Sequence, residues 1–212
     1  VQLIGTIVPG ESRDLPLPLP LVGQQLAGHE TIAQTLRRAE SSPHIKAIVF
    51  YVDSPGGSAI ASDLIWHEVS RVQRTKPVVV YMGNVAASGG YYVACGAQHI
   101  VAGATTLTGS IGVIAGKIDW HGLLEKASIH REIIRIGATA SMPSTFASYS
   151  DQEWELLRRW MDEIYQRFKA RVAAGRGRSL EAIEEVARGR VWTGRQALSL
   201  GLIDEVGDMV VA

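Results

Sequence analysis

Short runs of consecutive apolar residues recur through the first half of this chain. Three of them, at residues 45–52, 77–82 and 99–103, have the length and the Val, Ile and Tyr content that are typical of β-strands. Polar residues do not alternate through these runs, as they would in a strand with one face in water. The pattern therefore predicts strands that are buried on both faces of a parallel sheet.

Two segments that lie between these runs keep the spacing of a helix instead. The first is Thr31–Glu40, and the second is a helix whose apolar face consists of Ile60, Leu64 and Val72. Strands that alternate with helices indicate the α/β class, in which helices cover a parallel sheet.

Four further segments of the chain have weaker patterns. Residues 1–10 favour a strand that ends in a Pro-Gly turn, and residues 130–136 favour a later strand. Leucine and proline alternate over Leu15–Pro20, which excludes a helix or a central strand and predicts an extended apolar loop. Residues 105–113 are rich in turn-forming residues.

The last third of the chain is predicted to be helical. Ser150 and Glu153 have the spacing of a capping box at the start of a long helix, and two shorter helices follow at 179–189 and 193–201. The apolar stripe of the long helix consists of Trp154, Leu157, Met161, Ile164 and Phe168. Because neither a repeat nor a linker divides the sequence, we predict one α/β domain over residues 1–212.

Composition narrows the possible functions. The 212 residues include 21 basic and 21 acidic side chains, a balance that gives no indication of a nucleic-acid partner. Cys95 is the single cysteine, so an intramolecular disulfide and a zinc cluster are excluded, and its apolar neighbours predict a small buried residue. No apolar run approaches the roughly 20 residues of a membrane helix. Because the chain begins with Val1 rather than Met, we expect it to be a piece of a longer protein.

Candidate chemistry follows two of the predicted strands. In open α/β sheets reactive groups gather at the carboxyl ends of strands, where DSPGGS (53–58) and NVAASGG (84–90) lie here. Gly56 and Gly57 can turn backbone N–H groups towards a common point that Ser88 would face, which is the layout of acyl transfer. The alternative is structural: small residues let two elements pack closely, and Pro-Gly-Gly forms a tight turn.

A serine nucleophile needs a general base, and the sequence offers no clear one. The histidines lie outside any glycine-rich or acidic motif, so each is expected at the surface or in the core: His29, His44, His67, His99, His121 and His130. The acidic residues form neither a metal-binding nor a paired-carboxylate pattern, and Asp53 is expected to cap the turn that it starts. We therefore expect no metal and no cofactor.

Taken together, four ordered motifs resemble the signal peptide peptidase A family of serine proteases. They are DSPGGS, MGNVAASGGYYVACGA (82–97), LTGSIGV (107–113) and GRVWTGRQALSLGLIDEVGD (189–208). The resemblance implies a ClpP/crotonase-like fold, with a parallel sheet flanked by helices and a helical carboxyl-terminal part. It also implies Ser88 as nucleophile, an oxyanion hole from the backbone amides of Gly57 and Gly89, and Ser110 as the serine that holds the base.

The base of that family is a lysine, and this chain departs from the family at the matching position. In the short, single-repeat form the lysine lies in a Gly-Ala-x-Lys stretch, and the corresponding residue here is Ala140. The spelling GRVWTGRQALSLGLID and the missing initiator resemble the carboxyl-terminal repeat of the family's long tandem form, in which the amino-terminal repeat supplies the lysine. A lysine from that repeat, or from another subunit, would replace the missing one. The alternatives are a deliberate Lys-to-Ala substitution at Ala140, Lys117 as the base, or an inactive repeat.

The resemblance implies a serine endopeptidase that cuts extended apolar peptides, such as remnant signal peptides, near a membrane of the prokaryotic cell envelope. It also implies a homo-oligomer, and peptide rather than nucleic-acid partners. Two rivals remain at this stage: a crotonase-like enzyme that acts on acyl-thioesters, and a non-catalytic half that lacks its base.

Overall fold

The computed structural model describes residues 1–19 and 23–212. Its strands are β1 (Gln2–Ile4), β2 (Thr6–Val8), β3 (Arg13–Leu19), β4 (Gly23–Gly28), β5 (Ile48–Ser54), β6 (Val78–Ala87), β7 (His99–Ala102), β8 (Leu107–Gly109), β9 (Val191–Thr193) and β10 (Glu205–Val206). Its helices are α1 (His29–Ser41), α2 (Ala59–Val72), α3 (Gly89–Ala94), α4 (His121–Lys126), α5 (Asp151–Arg176), α6 (Leu180–Val186) and α7 (Gly194–Ser199).

The contacts divide the chain into two compact units, and each is described by itself. The first unit consists of Val1–Gly112 and Gln166–Ala212, and the second of Val113–Tyr165. The expectation of one domain over residues 1–212 stays a prediction.

The main sheet lies in the first unit and has the strand order β1-β5-β6-β7-β10, with every neighbouring pair parallel. Near its carboxyl end β6 also pairs with β8, which is parallel to it, and β8 pairs with the antiparallel β9. The predicted α/β class with a parallel sheet is therefore confirmed, and each of the three apolar runs overlaps one of its strands. The predicted burial on both faces is wrong for β5, where buried residues alternate with partly exposed ones and Val49 is 38% exposed.

The core of the sheet is formed by inward-facing residues of β5 and β6, such as Phe50 and Met82, which are fully buried. Helix α2 forms as predicted, but its buried stripe consists of Ala61, Ile65, Val69 and Val72. The predicted face was therefore partly wrong, since Ile60 and Leu64 are 66% and 47% exposed. Both stripes keep helical spacing, so periodicity alone does not choose between them.

The single strand predicted for residues 1–10 is two short strands in different sheets. β1 pairs with β5 in the main sheet, whereas β2 pairs with β4 in a three-stranded sheet of order β2-β4-β3. The chain changes sheet at Gly5, whose φ of +92° favours glycine and whose Cα lies against the backbone of Gln25.

The Leu-Pro stretch is an edge strand rather than a loop over the part that the structure describes. β3 lies at the edge of the small sheet and pairs with β4 through an irregular register between Asp14 and Leu19. An edge position is where proline is tolerated, because the missing N–H faces no partner strand. Leu17 is 73% exposed there, and the end of the predicted segment, Pro20, lies outside the described residues.

The second unit confirms one local prediction and overturns another. The Ser150 hydroxyl accepts the Glu153 N–H and the Glu153 carboxylate accepts the Ser150 N–H, so the capping box is present. The strand predicted at 130–136 does not form: these residues have no strand assignment, and Ile134 and Ile136 are 91% and 96% exposed. A strand needs a partner edge for its N–H and C=O groups, and the unit offers none to this run in the described residues.

The carboxyl-terminal helices hold the first unit together. The ring of Phe168 on α5 lies 4.6 Å from the ring of Tyr92 on α3, measured between centroids. Helices α6 and α7 form as predicted, with Ser179 and Thr193 as their capping residues. Among the described helices, none combines the length and the apolar content that crossing a membrane requires.

Cys95 gives a first testable prediction, because its predicted burial is confirmed. Burial raises the pKa of its thiol to about 12, so the reactive thiolate is absent at mildly alkaline pH. We expect the folded protein to resist an aromatic disulfide reagent, and the same thiol to react quickly once guanidinium unfolds the chain. Stoichiometric labelling of the native protein within seconds would contradict the buried position.

Candidate active site

The two sequence motifs that were singled out for chemistry meet where β5 and β6 end. Along β5 and β6 the paired residues run in register up to Val52 and Met82, and the next pair is Ser54 with Ala86. One residue of β5, Asp53, therefore lies opposite the three residues 83–85 of β6. Bulges of this kind bend a strand and redirect the side chains beyond them, and Ser88 lies directly beyond this one.

Asp53 holds this bulge. One carboxylate oxygen accepts the N–H of Val85 at 3.1 Å, and the other accepts the hydroxyl of Tyr51 at 3.1 Å and the side-chain amide of Asn84 at 3.4 Å. The expectation that Asp53 caps its own turn is therefore wrong, because its carboxylate accepts hydrogen bonds from Val85 and Asn84 of the neighbouring strand β6. Gly83 leaves the space, since a Cβ there would stand 2.9 Å from the carboxyl carbon of Asp53.

Ser88 lies in a sharp turn between β6 and α3. Its backbone has φ +51° and ψ −120°, a conformation that costs a non-glycine residue about 1–3 kcal/mol. The turn is held from both sides, because the Ser88 N–H donates to the carbonyl of Gly109 at 2.9 Å and its carbonyl accepts the Tyr92 N–H at 2.8 Å. The side chain is half-buried and does not cap the helix. A strained strand-to-helix turn of this kind presents the nucleophile in α/β-hydrolases.

Gly56 lies directly against this turn. Its φ is +108°, and a Cβ on it would stand 2.7 Å from the Gly89 nitrogen and 2.8 Å from the Ser88 Cβ. The small residues around Ser88 therefore do serve close packing, as the structural alternative expected. The same approach brings the glycine loop, residues 55–57, against the serine turn. Close packing and the layout of acyl transfer are therefore two descriptions of one arrangement.

The backbone amides of the glycine loop can be accounted for one by one. The Gly56 N–H donates to the Ser54 hydroxyl oxygen at 3.1 Å, and the Ser58 N–H donates to the carbonyl of Ile7 at 2.9 Å. Between them, Gly57 forms a parallel bridge to Ile7 on β2. In such a bridge the central residue directs its own N–H to the opposite side. The Gly57 N–H therefore points away from β2, and it has no acceptor among the residues described.

Gly89 supplies a second amide beside the first. It is the first residue of α3, where the N–H has no acceptor within the helix. The Gly57 nitrogen lies 3.3 Å from the place that a Cβ on Gly89 would occupy. The structure thus brings three of the predicted residues together: Ser88, Gly57 and Gly89.

Ser110 occupies the matching position on the next strand. Gly109 pairs with Ala87 across β8 and β6, so Ser110 and Ser88 each follow a paired residue at the same end of the sheet. The φ of Ser110 is +49°, close to that of Ser88, and its N–H donates to the carbonyl of Arg190 at 2.7 Å. Its side chain is half-buried.

The lysines of the first unit and two of its histidines have partners other than Ser88. Its lysine ammonium groups donate to the carbonyl of Pro43, to those of Ala39 and Ser42, and to the carboxylate of Glu184; the lysines are Lys46, Lys76 and Lys169. Two of its histidines also have other partners, since His29 accepts the N–H of Gly10 and His99 lies beside Glu205.

The two remaining positions considered for a base lie in the second unit. The Lys117 ammonium donates to the carbonyl of Met142 at 3.2 Å and lies 3.9 Å above the ring of Tyr149. Ala140 is exposed in a turn, and its N–H donates to the carbonyl of Gly137.

Comparison with known proteins first defines the class of fold. The chain is similar to a mutant form of ClpP1 from Listeria monocytogenes, with a TM-score of 0.57 over 85% of this chain and 84% of that one. Their sequences are 17% identical, so the likeness shows the fold alone. The Clp protease family model also matches residues 22–110. The predicted ClpP-like fold is confirmed.

The sequence comparisons then define the family. The model of peptidase family S49 matches residues 70–212, and the chain belongs to that family. It is 41% identical over 193 residues to "Serine protease SPPA, chloroplastic" of Arabidopsis thaliana, covering 91% of this chain. It is 35% identical to "Protease 4" of Haemophilus influenzae, covering 98% of this chain, and 33% identical to "Putative signal peptide peptidase SppA" of Enterococcus faecium, covering 88%. The chain spans 28%, 32% and 55% of the lengths of these relatives. The predicted family is confirmed.

Sequence reasoning missed Ser54 and Ile7, and it gave Asp53 a different partner. Ser54 and Ile7 hold the glycine loop, and Asp53 holds the bulge through its bond to β6. The signal that could have pointed to them is the pair of consecutive glycines, because a loop so free in its backbone needs partners to hold it.

Proposed function

We propose that this chain is the serine-bearing part of a peptidase that cleaves extended apolar peptides, such as remnant signal peptides, at a membrane of the prokaryotic cell envelope. Ser88 is the nucleophile, the Gly57 and Gly89 amides form the oxyanion hole, and Ser110 holds the general base. The observation that carries this proposal is the half-buried Ser88 hydroxyl, in a strained turn beside two amides that have no acceptor in the described residues.

The reaction that we propose has two steps of acyl transfer. The Ser88 oxygen adds to the peptide carbonyl carbon while the base takes its proton, and the two amides donate to the oxygen that becomes negative. The C–N bond then breaks, the base returns the proton to the leaving amine, and water releases the acyl group from Ser88. One such donor contributes about 3–4 kcal/mol in other enzymes.

In this proposal the general base is a lysine from outside the segment, supplied by a second repeat of the longer chain or by a neighbouring subunit. The engaged lysines of the first unit support this, and so does the greater length of the relatives. A base lysine works only when it is neutral, which requires burial that lowers its pKa. The added repeat or subunit would bury it against Ser88.

Lys117 gives a prediction that separates two sources of the base. We expect Lys117→Met in the full-length protein to keep peptide cleavage within about threefold of wild type, because in this proposal the base is a different lysine. Removing a true general base would cost about 100-fold or more. The measurement is the initial rate of cleavage of a quenched fluorescent peptide. A loss of that larger size, with folding unchanged by circular dichroism, would make Lys117 the base.

We further propose that the peptide binds as an added strand, with alternate side chains in pockets, as in other proteins that extend a sheet with their ligand. Assembly into a homo-oligomer would keep folded proteins away from Ser88. The homo-oligomer comes from the family resemblance, and the ClpP-like fold is compatible with it.

The test of this function offers the full-length protein two substrates side by side. One is a quenched apolar peptide and the other is a medium-chain acyl-CoA thioester. We expect cleavage of the peptide only, and its loss in Ser88→Ala. Thioester turnover that survives Ser88→Ala would favour a crotonase-like enzyme, and no turnover of either substrate would favour a non-catalytic half.

A further inference from the structure

We infer that Ser54 is a positioning residue of this site, an inference that rests on the proposed function. Its hydroxyl oxygen accepts the Gly56 N–H at 3.1 Å, and its hydroxyl donates at 3.5 Å to the Gly56 carbonyl, which belongs to the same peptide as the Gly57 N–H. Ser54 thereby keeps the Gly57 amide turned towards the reacting carbonyl.

The loop cannot hold this geometry through its own backbone. Gly56 and Gly57 have φ values of +108° and +147°, and glycine adopts such angles about as easily as their mirror images. The conformation must therefore be imposed by partners. On one side these are the bonds to Ile7, and on the other side the only bond of the Gly56 N–H in the described residues is the one to Ser54.

The place of Ser54 suits this task. The residue is fully buried, and it pairs with Ala86 at the point where β6 continues after its bulge. A Cβ on Gly90 would stand 2.6 Å from the Ser54 carbonyl oxygen, so the backbone of Ser54 also contacts the first turn of α3. One residue thus touches both elements that supply the two amides of the oxyanion hole.

Loss of the Ser54 hydroxyl would leave the Gly56 N–H buried without an acceptor. A buried unpaired donor is costly, and the peptide that joins residues 55 and 56 can relieve the cost by tilting towards another acceptor, since glycine tolerates the change of angle at Gly56. The tilt would strain the 2.8 Å bond from the Ile7 N–H to the Gly56 carbonyl and displace the Gly57 N–H of the same peptide from its place beside Gly89. The expected consequence is weaker stabilisation of the transition state with little effect on the binding of the peptide.

The experiment compares Ser54→Ala with Tyr91→Phe in the full-length protein. Tyr91 is also fully buried, and its hydroxyl donates to the carbonyl of Leu202 at 2.8 Å, so the control removes one buried hydrogen bond elsewhere in the same unit. We expect Ser54→Ala to lower kcat about 10- to 100-fold with KM within about twofold, and Tyr91→Phe to keep kcat within about twofold. An unchanged kcat in Ser54→Ala, or an equal loss in both variants, would overturn the inference.

A second measurement needs no turnover and separates this inference from the proposed function. Amide hydrogen exchange of Gly56, followed by NMR, is expected to speed up at least about tenfold in Ser54→Ala and to stay unchanged in Tyr91→Phe. Wild-type protein that cleaves no peptide would refute the proposed function, while the exchange rate would still test Ser54. Unchanged exchange of Gly56 in Ser54→Ala would refute the positioning role even in an active enzyme.

Discussion

Replacing Ser88 with alanine is expected to lower peptide cleavage by the full-length protein at least about 1,000-fold, since removing the nucleophile of a serine protease leaves only what binding and the oxyanion hole supply. Alanine and serine both have a Cβ, so the strain at φ +51° is the same in both proteins. The hydroxyl does not cap α3, and we therefore expect the thermal midpoint of unfolding to change little. The measurements are kcat/KM on a fluorogenic peptide and a thermal melt.

A matched control is Ser128→Ala. Ser128 also has a left-handed backbone, with φ +54°, but it lies in the second unit in an exposed position. We expect this variant to cleave at the wild-type rate. Wild-type activity in Ser88→Ala would end the assignment of the nucleophile.

The second large effect is expected from Gly56→Ala. The added methyl group would stand 2.7 Å from the Gly89 nitrogen and 2.8 Å from the Ser88 Cβ, closer than carbon atoms approach. The loop must therefore move away from the serine, and the Gly57 amide moves with it. We expect kcat to fall at least about 100-fold, as when an oxyanion donor is lost, and the free energy of unfolding to fall by about 1–3 kcal/mol.

Gly10→Ala separates contact from backbone strain. Gly10 has φ +84°, but nothing lies within 4 Å of a Cβ placed on it. This variant should lose a similar amount of stability through strain alone and keep its kcat. Gly56→Ala with kcat near wild type would mean that the loop does not have to touch the serine turn.

The sheet and most helices could be predicted because their evidence is local. A run such as PVVVYM is apolar on both faces, and the Ser150–Glu153 box is a four-residue pattern, so each indicates its own structure. The errors arose where the outcome depends on distant partners. The split at Gly5 depends on Gln25, and the apolar run at 130–136 lacks a partner strand among the described residues of its unit.

The candidate site was predictable to a similar extent. The positions of Ser88 and the glycine loop followed from two motifs at strand ends, and the pairing of β5 with β6 explains why they meet. The bond between Asp53 and Val85 joins residues that are 32 positions apart. The bridge between Ile7 and Gly57 joins residues that are about 50 positions apart. No local pattern of the sequence encodes either contact. Ser110 was expected only from the resemblance, and the register of β8 against β6 now gives it a place beside Ser88.

The most direct test is covalent labelling of the full-length protein with a fluorophosphonate, read by mass spectrometry after digestion. If an activated serine hydroxyl at the carboxyl end of β6 does the chemistry, a single phosphonyl group will be found on the peptide that contains Ser88, and none on the Ser88→Ala protein. A wild-type protein that stays unmodified, or one modified at a different serine, would contradict the account.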